Sequence, residues 1–248
     1  MRVPRIHVDA LLREGAEFEL PAAQARHVGQ VLRLAPNAPL VLFNGDGHAY
    51  QARLIASTRE TTRVLVETRG EAESAPPLEI HLALGVSKGE RMDFALQKAV
   101  ELGVTRLTPL FTKRGQVKLD GARLEKRLEH WRGVIIAACE QSGRQRIPRL
   151  EAAPRLDDWL GMPRAGGLLL DPQAEQALTS RPAPEAGGVT LLIGPEGGLD
   201  SGEREAALRQ GFVGVRLGPR ILRTETAPLA AIAVIQALWG DFGDARSG

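Results

Sequence analysis

The chain has 248 residues, 43% of them hydrophobic and 25% charged, with a formal net charge of +2. These are the proportions of a soluble globular protein of one or two domains, and no apolar run approaches the roughly 20 residues needed to span a bilayer. A single cysteine, Cys139, excludes an internal disulfide, and the five scattered histidines form no ligand cluster, so no metal site is expected. Residues 1–13 mix Arg, Pro, His and Asp without a long apolar core. No secretory leader is expected there, and the expected location is the cytoplasm.

From the amino end, residues 1–72 read as β-rich. The stretch 22–34 predicts a helix. Leu40-Val41-Leu42-Phe43 is a short apolar strand, Asn44-Gly45-Asp46-Gly47 is a turn, and 48–55 and 61–68 alternate polar and apolar residues as strands do. Short strands with tight turns predict a small barrel. Residues 70–77 are polar, proline-containing and unpatterned, which marks them as a linker. Beyond it the pattern changes. Strands are expected at 78–84, 106–111, 167–170, 189–193 and 213–217, and helices at 91–101, 119–139, 203–210 and 228–239. Such alternation predicts a mostly parallel sheet covered on both faces. Residues 98–149 hold twelve Lys/Arg against five Asp/Glu, a local positive field that suits a polyanion such as RNA.

The densest chemistry lies near the C-terminus. Ile193-Gly194-Pro195-Glu196-Gly197-Gly198-Leu199-Asp200 and Leu217-Gly218-Pro219-Arg220-Ile221-Leu222-Arg223-Thr224-Glu225-Thr226-Ala227-Pro228 each follow an apolar strand and precede a helix. They fall where strands of an open α/β sheet end, which is where such sheets bind ligands. Asp200 and Glu203 have the spacing of a capping box, and Thr226 is placed to cap the last helix with Pro228 in its first turn. Neither a G-x-G-x-x-G opening the first βα unit nor a G-x-x-x-x-G-K-[ST] occurs, which disfavours a dinucleotide or triphosphate site.

These two segments resemble the cofactor-binding motifs of the SPOUT methyltransferases, and their wording is similar to the RsmE branch, the ribosomal RNA uracil-N3 methyltransferases. Lys88-Gly89-Glu90-Arg91-Met92-Asp93, the run from Gln97 to Val104, Glu140-Gln141-Ser142-Gly143-Arg144, and His27 followed by Val31-Leu32-Arg33-Leu34 carry the resemblance upstream. The resemblance implies an α/β protein in two parts. Residues 1–72 would form a PUA-like β-barrel that binds RNA. Residues 73–248 would form a SPOUT domain, a mostly parallel sheet with a trefoil knot near the C-terminus. It implies S-adenosylmethionine as cofactor, held by Leu170, Ile193, Gly194, Gly198, Leu217, Gly218, Ile221, Leu222 and Thr226. It also implies methylation of uridine N3 in 16S ribosomal RNA, within an assembled small subunit, by a homodimer with no membrane partner.

Uracil N3 must lose an imide proton, and the charge then spreads to the flanking carbonyl oxygens, so an arginine near them and a carboxylate base are sought. Arg223, Arg114 and Glu140 are the catalytic candidates, with Arg223 nearest in sequence to the cofactor loop. Thr112-Lys113-Arg114-Gly115 departs from the family pattern on either side of the arginine, so only Arg114 carries over. Arg2, Arg5, His27, Arg33 and Arg144 are the candidate RNA contacts. Two other readings stay open from sequence: an RNA-binding module without activity, and an α/β methyltransferase acting on another RNA or a nucleotide.

Overall fold

The computed structural model describes residues 3–58, 61–162, 167–185 and 187–243. The chain divides into two compact units, one of Met1–Ala75 with Ile136–Ile147 and one of Pro76–Ile135 with Pro148–Gly248.

The first unit contains β1 (Arg5–His7), β2 (Glu17–Glu19), α1 (Ala22–Arg26), β3 (Pro39–Phe43), β4 (His48–Ser57) and β5 (Thr62–Ala72). They form one sheet in the order β1-β3-β4-β5-β2, with β1 and β3 parallel and the other pairs antiparallel. Register shifts along β4 and β5 are the bulges that bend a sheet around its own core. That core holds Ile6, Val8, Leu20, Leu40, Leu54 and Val64. At the expected turn, the Asp46 and His48 amides donate to Asn44 Oδ1 and Asp46 Oδ1. The expected helix over 22–34 is shorter and changes character. It ends at Arg26 and continues as a π-helical turn, His27–Val31, closed by the Leu32 amide on the His27 carbonyl at 2.9 Å. The widened turn buries Val28 while His27, Val31 and Arg33 stay exposed. The expected linker is also part structured: β5 runs to Ala72, and the Glu73 carboxylate accepts the amides of Gln145 and Arg146, the latter at 2.7 Å.

The second unit contains β6 (Glu79–Gly85), α2 (Glu90–Glu101), β7 (Arg106–Leu110), α3 (Gly121–Ser142, whose last turns belong to the first unit), β8 (Arg149–Leu150) and α4 (Leu156–Leu160). It continues with β9 (Gly167–Leu170), β10 (Gly188–Ile193), α5 (Ser201–Arg209), β11 (Phe212–Val215) and α6 (Thr226–Trp239). The sheet order is β11-β9-β10-β6-β7-β8 and every pair is parallel. Near-continuous burial along β6 and β7 is the mark of strands covered on both faces. α2 packs with α6, and α4 with α5. Trp159 of α4 meets Phe212 of β11 with ring centroids 6.0 Å apart, in a core shared with Ala83, Leu110, Leu169 and Leu192.

The capping box forms as expected: Asp200 accepts the Glu203 amide at 2.7 Å and Glu203 accepts the Asp200 amide at 3.0 Å. The cap expected from Thr226 does not form. Thr226 lies one residue inside α6, Glu225 occupies the cap without a side-chain bond, and the Arg223 carbonyl accepts both the Thr226 and Ala227 amides. Backbone closes the turn that the threonine hydroxyl was expected to close.

Candidate active site

The loops that follow β9, β10 and β11 enclose a cleft of about 750 Å³ in the second unit. All three leave the carboxyl ends of parallel strands, the position where open α/β sheets gather ligand-binding residues. Leu170 stands at the end of β9 and Ile193 at the end of β10. Gly194 and Gly198 come from the glycine-rich loop, and Leu217, Gly218, Ile221, Leu222 and Arg223 from the loop after β11. Thr226, the first residue of α6, does not line the cleft, although its neighbours Glu225 and Ala227 do.

The loops hold one another in place. Thr224 Oγ1 donates to the Gly194 carbonyl at 3.3 Å and lies 3.2 Å from Ser87 Oγ, in the segment after β6. Arg114 Nη1 donates to the Gly197 carbonyl at 3.3 Å. Glu203, 1% exposed, uses its second oxygen to accept the Lys113 amide at 2.7 Å, so the capping box of α5 also anchors the loop after β7. Glu196 accepts the Lys88 amide at 3.1 Å and pairs with Arg91 at 3.3 Å. Burial alone would push the Glu196 carboxyl up, but the amides of Glu196 and Lys88 and the Arg91 guanidinium outweigh it and hold the group below its ordinary range. Across the cleft, Asp171 is 8% exposed and pairs with Arg204.

These surroundings fit the S-adenosylmethionine that the resemblance implies. Gly218 adopts φ +67°, and a β-carbon built there meets nothing within 4 Å, so its backbone lies open to a ligand. Ile221 is 85% exposed and lines the cleft with Leu170, Ile193, Leu217 and Leu222. Apolar faces beside open backbone are what a purine needs for stacking and a few directed hydrogen bonds. Arg220 and Arg223 are exposed in the same loop and form no ion pair among the described residues. They offer positive charge to an incoming anion or to charge developing on a base.

Of the three catalytic candidates, Arg223 and Arg114 line the cleft. Glu140 does not. It belongs to the first unit, where it accepts the His7 amide at 2.9 Å, and burial pushes its carboxyl up against the lowering effect of that amide, His27 and Arg5. Among the expected RNA contacts, Arg5 and Arg144 meet in the first unit. Arg5 Nη2 donates to the Arg144 carbonyl at 3.1 Å while its guanidinium lies 5.1 Å over the Phe43 ring. His27 opens the π-helical segment and Arg33 follows two residues past its end; both are exposed, Arg33 with φ +50°. Arg2 lies outside the described residues. Asp171 and Arg204, 33 positions apart, escaped the sequence reading because nothing local joins them. Arg91 and Glu196 lay within noted motifs, but their pairing needed the fold.

The cleft at parallel strand ends belongs to an RNA methyltransferase, as comparison with known proteins shows. Residues 74–236 match the family model for an RNA methyltransferase domain, and residues 20–67 match that for an RNA methyltransferase PUA domain. The chain belongs to the family of ribosomal RNA small subunit methyltransferase E. It is 33% identical to that enzyme of Mycobacterium bovis, over 94% of this chain and 92% of the relative. It is 32% identical to the one of Buchnera aphidicola, over 97% and 98%. The solved structure of ribosomal RNA small subunit methyltransferase E from Neisseria gonorrhoeae, bound to S-adenosyl methionine, is 39% identical with a TM-score of 0.90, covering 98% of this chain and 100% of that one.

Proposed function

We propose that this chain transfers a methyl group from S-adenosylmethionine to N3 of a uridine in 16S ribosomal RNA. The observation that carries the reading is the cleft where the Gly194 and Gly218 loops, fastened through Thr224, meet at adjacent strand ends. Leu170, Ile193, Leu217, Ile221 and Leu222 would hold the adenine and ribose, with backbone of Gly194 and Gly218 supplying directed hydrogen bonds. The chemistry supplied by the bound cofactor is an electrophilic methyl group on a sulfonium, whose leaving group is a neutral thioether. Arg223 faces the developing negative charge on the uracil carbonyl oxygens, and its fixed positive charge there lowers the barrier. Arg114 holds the glycine-rich loop in register through the Gly197 carbonyl, a contribution of orientation. Glu140 is left out of this set because its carboxylate is engaged by the His7 amide, so the N3 proton passes to solvent water before the new N–C bond forms and the S–C bond to the methyl group breaks.

In the same proposal the first unit contributes RNA contacts through Arg5, His27, Arg33 and Arg144. The enzyme works in the cytoplasm as a homodimer on an assembled small subunit. α6 is apolar almost throughout yet leaves Leu229, Val234, Leu238 and Trp239 half-buried, which supports a further interface. No helix among the described residues is long and apolar enough to cross a membrane.

The test is methyl transfer from labelled cofactor to small subunits and to free rRNA, with nucleoside analysis of the product. N3-methyluridine is expected, with subunits the better substrate. Label at a ribose oxygen or in another base would overturn the assignment of the reaction.

A further inference from the structure

A second cavity of about 210 Å³ lies in the same unit, between the segment after β6 and the first half of α3. Its wall includes Ser87, Lys88, Gly89, Arg127 and Trp131, and carries two cations and no carboxylate. Lys88 and Arg127 form no ion pair among the described residues. Trp131 is 1% exposed, and its indole N–H finds no acceptor among them. A buried donor without an acceptor calls for a ligand or an ordered water. Gly89, which lines the cavity, is the cap of the 12-residue helix α2 and gives it no side-chain cap, and the first amides of such a helix lack intrahelical partners and carry the positive end of its dipole. The volume falls below the roughly 300 Å³ at which small-molecule sites begin. It suits one compact group.

Cations, a neutral donor and a helix amino end select an anion; the first-turn carboxylates of α2, Glu90 and Asp93, lie outside the cavity wall, and Asp93 meets His130 Nε2 at 2.8 Å. We propose that this cavity receives one phosphate group of the RNA substrate, making Lys88 and Arg127 positioning residues for the strand. The inference rests on the RNA methyl-transfer reading. Ser87, 5% exposed, connects the two sites: it lines this cavity and its hydroxyl meets Thr224 Oγ1, which in turn bonds Gly194. A phosphate seated here is one hydrogen-bonded residue away from the cofactor loop. That spacing would fix how far the target base reaches into the cleft.

The experiment uses the full chain and an RNA carrying the methylated region. Lys88→Gln and Arg127→Gln should each bind it about tenfold more weakly at low salt. The plot of log affinity against log salt should flatten by about 0.7–0.9 for each lost phosphate contact. KM for RNA should rise in both variants, Arg127→Gln should leave kcat and calorimetric S-adenosylmethionine affinity unchanged, and Arg127→Lys should recover most of the loss. Inorganic phosphate should compete with RNA on the wild-type chain beyond the effect of chloride at equal ionic strength, and should not do so on the double Gln variant. Unchanged affinity and slope in both Gln variants would overturn the proposal, as would phosphate competition unaccompanied by any change in RNA binding, which would make free phosphate the ligand. A wild-type chain that binds the RNA without methylating it would strike at the functional reading instead, and leave the slope test of the cavity intact.

Discussion

Thr224 Oγ1 donates to the Gly194 carbonyl oxygen at 3.3 Å, and Ser87 Oγ lies 3.2 Å from the same hydroxyl. One side chain therefore fastens loops that leave three strands, and the shape of the cofactor cleft depends on it. Thr224→Val keeps the volume and removes the hydroxyl. A net hydrogen bond is worth about 1 kcal/mol, so S-adenosylmethionine affinity should fall about fivefold by calorimetry, while Thr224→Ser stays near wild type. Equal affinity in all three proteins would remove the hydroxyl from the design of the site.

The two loop glycines should respond for different reasons. At Gly194 an added β-carbon would come within 2.9 Å of the Gly198 carbonyl carbon and the Leu199 nitrogen, so Gly194→Val must distort the glycine-rich loop that Thr224 holds. At Gly218 there is space, but φ is +67°, and a side chain there costs about 1–2 kcal/mol of backbone strain. Both variants should keep their circular dichroism spectrum and lose at least about tenfold in cofactor affinity, on the same scale of strain. Retained affinity in both would place the cofactor elsewhere.

Arg223→Ala should separate chemistry from binding. Removing a donor aimed at developing charge costs on the order of 3 kcal/mol, about a hundredfold in rate. Under single-turnover conditions the methyl-transfer rate should drop by that factor, with cofactor affinity nearly unchanged. A rate within about twofold of wild type is below any catalytic contribution of this kind and would take Arg223 off the reacting base.

The parallel sheet and its loops were legible because strand and helix periods alternate cleanly after residue 77, and because the two C-terminal segments concentrate glycine and arginine at strand ends. The elements that escaped are short: β1, β2, β8 and α4 span two to five residues each. Periodicity has nothing to act on there, and tertiary pairing decides. Residues 136–139 read as the end of the amphipathic helix expected over 119–139, yet the whole segment Ile136–Ile147 joins the first unit. What draws it there is Glu73 on the Gln145 and Arg146 amides and Glu140 on the His7 amide, contacts no local pattern reveals. Among the candidate site residues, those adjacent to strand ends were placed by sequence. The Asp171–Arg204 and Glu196–Arg91 pairs needed the fold.

Glu196 predicts a pH effect. Burial raises its carboxyl, but the amides of Glu196 and Lys88 and the Arg91 guanidinium hold it below its ordinary value. A carboxyl depressed by folding contributes fully above its unfolded value, and the contribution is lost as pH falls through the folded one. The glycine-rich loop should therefore bind cofactor undisturbed at neutral pH and weaken in acid, below the usual carboxylate range. Glu196→Gln should bind somewhat more weakly at neutrality and lack that acid-dependent decline. Parallel affinity curves for the two proteins down the acid range would show that Glu196 does not order the loop.

Cys139 reports on the end of α3. It is fully buried, and burial pushes its thiol up to about 11, with Arg144 and Arg5 opposing and Glu73 and Glu140 reinforcing the shift. At pH 8 only about one thiol in a thousand would then be thiolate even if reagent could reach it, so alkylation of the full chain should be very slow. The four charged groups that act on the Cys139 thiol all belong to the first unit, which takes in Ile136–Ile147. A fragment beginning at Pro76 keeps every residue that lines the cofactor cleft but strips that segment of Arg5, His7 and Glu73. Circular dichroism and gel filtration must first establish a folded species. The fragment should then bind S-adenosylmethionine, react at Cys139 far faster than the full chain, and be cut by protease between residues 136 and 147. A folded fragment whose thiol stayed as inert as in the full chain would mean that α3 holds its last turns without the first unit.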